Sequence, residues 1–173
     1  MGLKLKIANK LLSSKLASIS REKKVFNLDT ATSAGILWEI DQQESFDRIE
    51  SELKNAGIKT VGLCYFPLKK AVIPAGINGF TRKQTTWSEI PKTELAEDFI
   101  DQKFDILIDL TGQRHIPIIY LTALSVAAFK IGYAGSSQNN FDLNIEFREQ
   151  PETSQLAEQI LYYLKRINKS TIE

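Results

Sequence analysis

Residues 104–133, FDILIDLTGQRHIPIIYLTALSVAAFKIGY, constrain the fold of this chain more than any other stretch. The run 104–110 is short and rich in β-formers, and Phe129-Lys-Ile-Gly-Tyr133 is a second such run. Between them Ile118, Leu121, Thr122, Leu124, Ser125 and Ala128 recur at helical spacing. A strand, a helix and a strand in that order are joined by a right-handed parallel crossover. In sheets built this way ligands sit beyond the carboxyl ends of the strands.

The same pattern occurs earlier. Residues 35–41 (GILWEID) read as a strand, 45–55 as a helix with Phe46, Ile49 and Leu53 on one face, and 59–66 as a strand. Asn55-Ala-Gly57 supplies a left-handed stop between the last two. Residues 67–79 form a loop, with a hairpin around Ile77-Asn-Gly79, and 83–87 a short strand. Residues 94–102 are helical. A polar turn over 134–140 leads to an alternating edge strand at 141–147. The helix 151–169 closes the chain, with Leu156, Ile160, Tyr163, Leu164 and Ile167 facing inward. Trp38, Trp87, Tyr162 and Tyr163 are expected as core anchors. The sum is an α/β chain with a single three-layer, Rossmann-like domain over 25–173 and a mostly parallel sheet of about six strands. The strand order expected is 3-2-1-4-5-6, with 35–41 and 104–110 adjacent at its centre.

Composition narrows the chemistry. One Cys and one His, Cys64 and His115, leave little for a zinc site or a Cys–His nucleophile, and Cys64 is expected as a buried small hydrophobe. No disulfide can form within the chain, which suits a cytoplasmic setting. No apolar run approaches the length of a transmembrane helix. The turn after the first strand holds no glycine, so neither a Walker loop nor a dinucleotide fingerprint is present. Asp41 and Glu44 read as a capping box opening the first helix of the body. The Asn168-Lys-Ser170 acceptor pattern is taken as chance. No cofactor and no metal are expected, and the chain is read as a binding or adaptor module more than an enzyme.

The candidate ligand site is the turn after 104–110. Asp109 ends that strand, and Thr111, Gln113, Arg114 and His115 could ligate a phosphate or sugar near the start of the next helix. Alternatively Asp109 or Thr111 satisfies free N–H groups of the turn, and the others are solvated. Pro117 falls in the first helical turn, where its missing N–H costs nothing.

Charge singles out residues 1–24. Seven basic residues against Glu22 give +6 there, while the remainder sums to −5. Residues 3–19 form an amphipathic leader helix with Leu3, Ile7, Leu11, Leu12, Leu16 and Ile19 on one side. Lys4, Lys6, Lys10 and Lys15 on the other side are candidate partner-binding residues for an acidic protein, RNA or an anionic membrane surface. The apolar stripe should dock, either on the domain itself or on a second copy as a homo-oligomer contact. The leader contains no aromatic residue, and a nucleic-acid surface built on stacking needs aromatics among its cations.

Two resemblances follow from these segments. The run 104–110, its helix and Phe129-Lys-Ile-Gly-Tyr133 resemble the N-terminal, acceptor-side domain of heptosyltransferases. That likeness implies the fold, while a chain of this length has no room for the second domain those enzymes need. The basic leader, Gly35-Ile-Leu-Trp38, residues 103–109 and residues 123–132 together resemble a family of short Bacteroidota proteins known as a domain of unknown function. This implies a bacterial cytosolic setting and no catalytic residues.

Overall fold

A computed structural model describes residues 3–135 and 139–167, except the side chains at 3–6, 8 and 9. Within them lie α1 (Leu3–Leu16), β1 (Ser33–Glu39), α2 (Gln43–Asn55), β2 (Lys59–Phe66), β3 (Gly79–Thr81), α3 (Glu94–Asp101), β4 (Ile106–Asp109), α4 (Ile116–Leu124), β5 (Phe129–Gly132), β6 (Leu143–Asn144) and α5 (Thr153–Arg166). The strands form one sheet in the order β3-β2-β1-β4-β5-β6. Every pairing between them is parallel. This is a Rossmann-like α/β sheet with its reversal of strand order between β1 and β4.

Alternation along β1 and β4 divides the interior into two layers. Ile36, Trp38, Ile106 and Ile108 face α2 and α5 and meet Ile49, Leu53, Leu156, Ile160 and Leu164. Leu37 and Leu107 point the other way, toward α3 and α4, and meet Phe99, Phe104, Ile118 and Leu121. Leu53 gives way to Gly57, at φ 79°, and the Ile58 and Gly57 amides return to Leu53 and Lys54 carbonyls. The left-handed stop thus closes α2 as its glycine requires. Trp38 stacks on Phe46 at 4.3 Å, directly over Gly62, where a Cβ would come within 2.6 Å of the Phe46 ring.

α4 is apolar all round because it has two dry faces. One packs on the sheet, and the other meets α1, where Leu12 is buried with Tyr120, Ala123, Leu124 and Ile90. Leu16 and Ile19 pack partly against this cluster, while Leu11 is exposed. After α1 the chain runs to the β6 edge of the sheet. Arg21 grips Asp142 through two hydrogen bonds of 2.8 and 2.6 Å and also donates to the Ala127 and Ala128 carbonyls.

Several expectations give way here. The strand expected at 83–87 is replaced by β3 four residues earlier and a 3-10 turn at Arg82–Gln84, with Thr81 and Gln84 forming a capping box that ends the strand. No hairpin forms around Gly79, which instead begins β3 so close to β2 that a Cβ would lie 2.8 Å from the Cys64 carbonyl oxygen. Trp87 is 60% exposed rather than in the core, and Tyr162 and Tyr163 lie at the surface of α5, where Leu161 takes the inward position instead. β1 ends at Glu39, two residues early, and the capping box is Glu39 with Gln42 rather than Asp41 with Glu44. β6 has only two residues, and on its N-terminal side the Asp142 carboxylate takes the Lys130 amide and Arg21. Residues 136–138 of the expected turn, 168–169 of the last helix, the Asn168–Ser170 pattern, and the side chains of Leu3, Lys4 and Lys6 lie outside what is described.

Candidate functional site at the strand-order reversal

The loops leaving β1 and β4 meet where the strand order reverses, the position at which open α/β sheets hold their ligands. Asp109 closes β4 with its carboxylate fully buried. One oxygen accepts from the Thr111 amide at 2.8 Å and the Thr111 hydroxyl at 2.7 Å, and the other accepts from Thr122 on α4 at 3.1 Å. Burial pushes its pKa up to about 6, against the pull of these donors and with some help from Glu39. The Thr111 hydroxyl in turn accepts from the Gln113 amide at 3.2 Å. Gly112 at φ 64° and Gln113 at φ 53° make the turn left-handed. Asp109 and Thr111 therefore spend their polar atoms inside the turn.

Arg114 and His115 point across the reversal. Arg114 donates through Nε to the Thr111 carbonyl at 2.9 Å, and its terminal nitrogen lies 3.9 Å from the Glu39 carboxylate. His115, at the start of α4, sets Nε2 3.3 Å from the same Glu39 oxygen and meets the Tyr65 ring edge-on at 5.4 Å. Glu39 is 4% exposed, and its Oε1 has no hydrogen-bond partner among the described residues. Tyr65 is pushed up to about 12 by burial and then by Glu89 and Glu39, with Arg82 opposing. Burial likewise pushes the Cys64 thiol up to about 12, which keeps it protonated and inert.

The crevice itself is filled from inside. Gln42 is 3% exposed, accepts the Glu39 amide through Oε1, and donates through Nε2 to the Leu110 carbonyl and the Thr153 hydroxyl. One side chain thus ties the ends of β1 and β4 to the start of α5. The cavity left beside it, bounded by Gln42, Thr111, Arg114 and Tyr133, measures about 30 Å³.

The structure brings Asp109, Thr111, Gln113, Arg114 and His115 together in one turn. It places Lys10 and Lys15 elsewhere, on α1, where Lys15 reaches to 5.5 Å from the Tyr120 ring and is held above the ordinary lysine range chiefly by its hydrogen bond to Tyr120. Glu39, Gln42 and Tyr65 escape the sequence reading. A charged residue at the end of an otherwise apolar strand, followed three residues later by Gln, carries the signal for the first two. Among the described residues no three His, Cys, Asp or Glu side chains gather as a metal site, and no helix is long and apolar enough to cross a membrane.

Fold and site together define a Rossmann-like α/β domain whose strand-order reversal is bridged by Gln42. A family model, described as a family of unknown function (DUF6913), matches residues 4–167, and the chain belongs to that family. No curated protein and no solved structure matches it.

Proposed function

We propose that the chain is a non-catalytic binding module of the bacterial cytoplasm, holding its partner on the surface rather than in the crevice of the sheet. The observation that carries this reading is the Gln42 plug. It leaves about 30 Å³ where a nucleotide or sugar would need roughly 300 Å³ or more. The polar groups there are also turned inward, with Asp109 and Thr111 engaged in the turn and Arg114 and His115 facing Glu39.

A second reading is favoured by one observation. Glu39 Oε1 is buried without a partner among the described residues, beside the only histidine, as a ligand hydroxyl would require. On that reading the chain is a small-ligand or glycosyltransferase-related enzyme using Asp109, Thr111, Gln113, Arg114 and His115, in keeping with the heptosyltransferase likeness.

A thermal-shift screen against nucleotides, nucleotide sugars and sugar phosphates separates the two. A ligand held at a hundredfold its dissociation constant adds about 2.7 kcal/mol, which raises the melting temperature of a domain this size by roughly 5–10 °C. The module reading expects no such shift. A shift present in the native chain and abolished by Glu39→Gln establishes the second reading instead.

A further inference from the structure

Beyond the carboxyl end of β3 the surface opens into a groove of about 1100 Å³, far larger than the cavity at the strand-order reversal. Lys69, Lys70, Lys83 and Lys92 line it over an apolar floor that includes Ala71 and Ile73. Among the described residues no carboxylate lines it and none pairs with any of the four lysines. A second depression of about 380 Å³ shares Lys69 and Lys83 with the groove and carries Trp87 in its wall beside the Arg82–Glu89 pair. Trp87 is 60% exposed, in a body whose other tryptophan, Trp38, is buried against Phe46.

The segment 82–92, which bears Lys83, Trp87 and Lys92, is pinned by its own hydrogen bonds. The Thr86 amide donates to the Ile90 carbonyl at 2.8 Å, and the Ile90 amide returns to the Thr86 hydroxyl at 3.1 Å. Glu89, at φ 66°, closes the turn and receives Arg82 at 2.7 Å. The Lys92 amide bonds back to the Gln84 carbonyl. An exposed indole on a turn pinned this way loses little further freedom when a planar group lies on it.

We propose that this groove binds single-stranded nucleic acid, with a base stacked on Trp87 and phosphates held by Lys69, Lys70, Lys83 and Lys92. The proposal rests on the binding-module reading and names its partner class. One feature favours a polynucleotide over an acidic peptide, the exposed aromatic among the cations. The cations themselves are lysines, point charges that suit phosphates and carboxylates alike. The one arginine in the wall, Arg82, is already committed to Glu89. The exposed aromatic between cations is the arrangement that stacking on single strands uses.

The test uses the full chain with a fluorescein-labelled oligo(dT) or oligo(U), read by anisotropy and by quenching of tryptophan emission. Because Trp38 is buried, quenching reports Trp87. Neutralising about four phosphates makes the affinity fall roughly fiftyfold between about 50 and 200 mM salt. Trp87→Ala should weaken binding roughly tenfold and remove the quench. The Lys69→Glu/Lys83→Glu variant should weaken it further and flatten the salt dependence. Both variants change only exposed positions, and an unchanged melting temperature confirms that the fold is intact. Binding that survives both variants, or that is lost instead in Lys10→Glu/Lys15→Glu, overturns the assignment to this groove. Equal affinity for duplex DNA removes the stacking role and overturns it too. Absence of oligonucleotide binding, with an acidic peptide bound instead, overturns the partner class but leaves the module reading standing. A nucleotide-induced stabilisation abolished by Glu39→Gln is the separate result that sinks the module reading.

Discussion

At the end of β4 a carboxyl group without access to solvent receives three donors, two from Thr111 and one from Thr122. Those bonds give Asp109 a role in holding the turn that is independent of any ligand. Asp109→Ala should cost about 2–4 kcal/mol, because it strands all three donors in the interior. Asp109→Asn keeps an acceptor for Thr111 and can donate to the Thr122 hydroxyl, so it should cost only about 1 kcal/mol. The asparagine variant also isolates a pH effect. The folded carboxyl titrates near 6 and the free one near 3.8, so between those values the native state binds more protons than the unfolded one. Stability contributed by this group therefore falls as pH rises from about 4 to about 6. Urea midpoints across that window should show the decline in the native chain and lose it in Asp109→Asn. An identical slope in both would mean that Asp109 is ionised throughout.

At the scale of elements, α1 is held by an interface whose centre is Leu12, 5% exposed against Tyr120, Ala123 and Leu124. Truncating it leaves a hole between two helices, and Leu12→Ala should destabilise by about 2–3 kcal/mol. Chemical unfolding measures this, and a change below about 0.5 kcal/mol would mean that α1 does not dock in solution. The elements that were legible in the sequence are those with a full period to display. Residues 45–55 show Phe46, Ile49 and Leu53 at helical spacing, and the apolar cores of β1 and β4 have no alternative to a buried strand. β3 was not legible, because three residues carry no period and its place is set by the close approach of Gly79 to the Cys64 carbonyl. The candidate turn at Asp109–His115 was visible as a strand end followed by polar residues. Its closure by Gln42 was not, since the three partners of that side chain come from Glu39, Leu110 and Thr153, far apart in sequence. Trp87 departs from its expected strand for a related reason. Local composition favours a strand, whereas the Thr81–Gln84 box and the Arg82–Glu89 pair turn the chain outward.

For the molecule as a whole, buried ionisable groups at opposite ends of the sheet set the response to alkali. Lys130 on β5 is 2% exposed and donates to the last carbonyls of α4, Thr122 at 2.7 Å and Ala123 at 3.0 Å. Burial, then repulsion from Arg21 and Lys23, lowers its pKa to about 7, with Asp142 pulling the other way. The free amine titrates at 10.5, so above pH 7 the unfolded chain binds a proton that the native state has shed. Stability from this group accordingly rises with pH above about 7. Cys64 and Tyr65 act in the opposite sense, since both stay protonated to about 12 when folded but ionise from 9.0 and 10.0 when free. Their contributions are present at neutral pH and decline once the unfolded thiol and phenol begin to ionise. The expected profile rises by about 1–2 kcal/mol between pH 7 and 9 and then turns down. Lys130→Met fills the same space without a charge. It should be less stable at every pH, because two helix carbonyls lose their donor, yet show no rise between pH 7 and 9. A variant that keeps the rise would assign it to another group and leave Lys130 as a helix-capping cation that stays charged throughout.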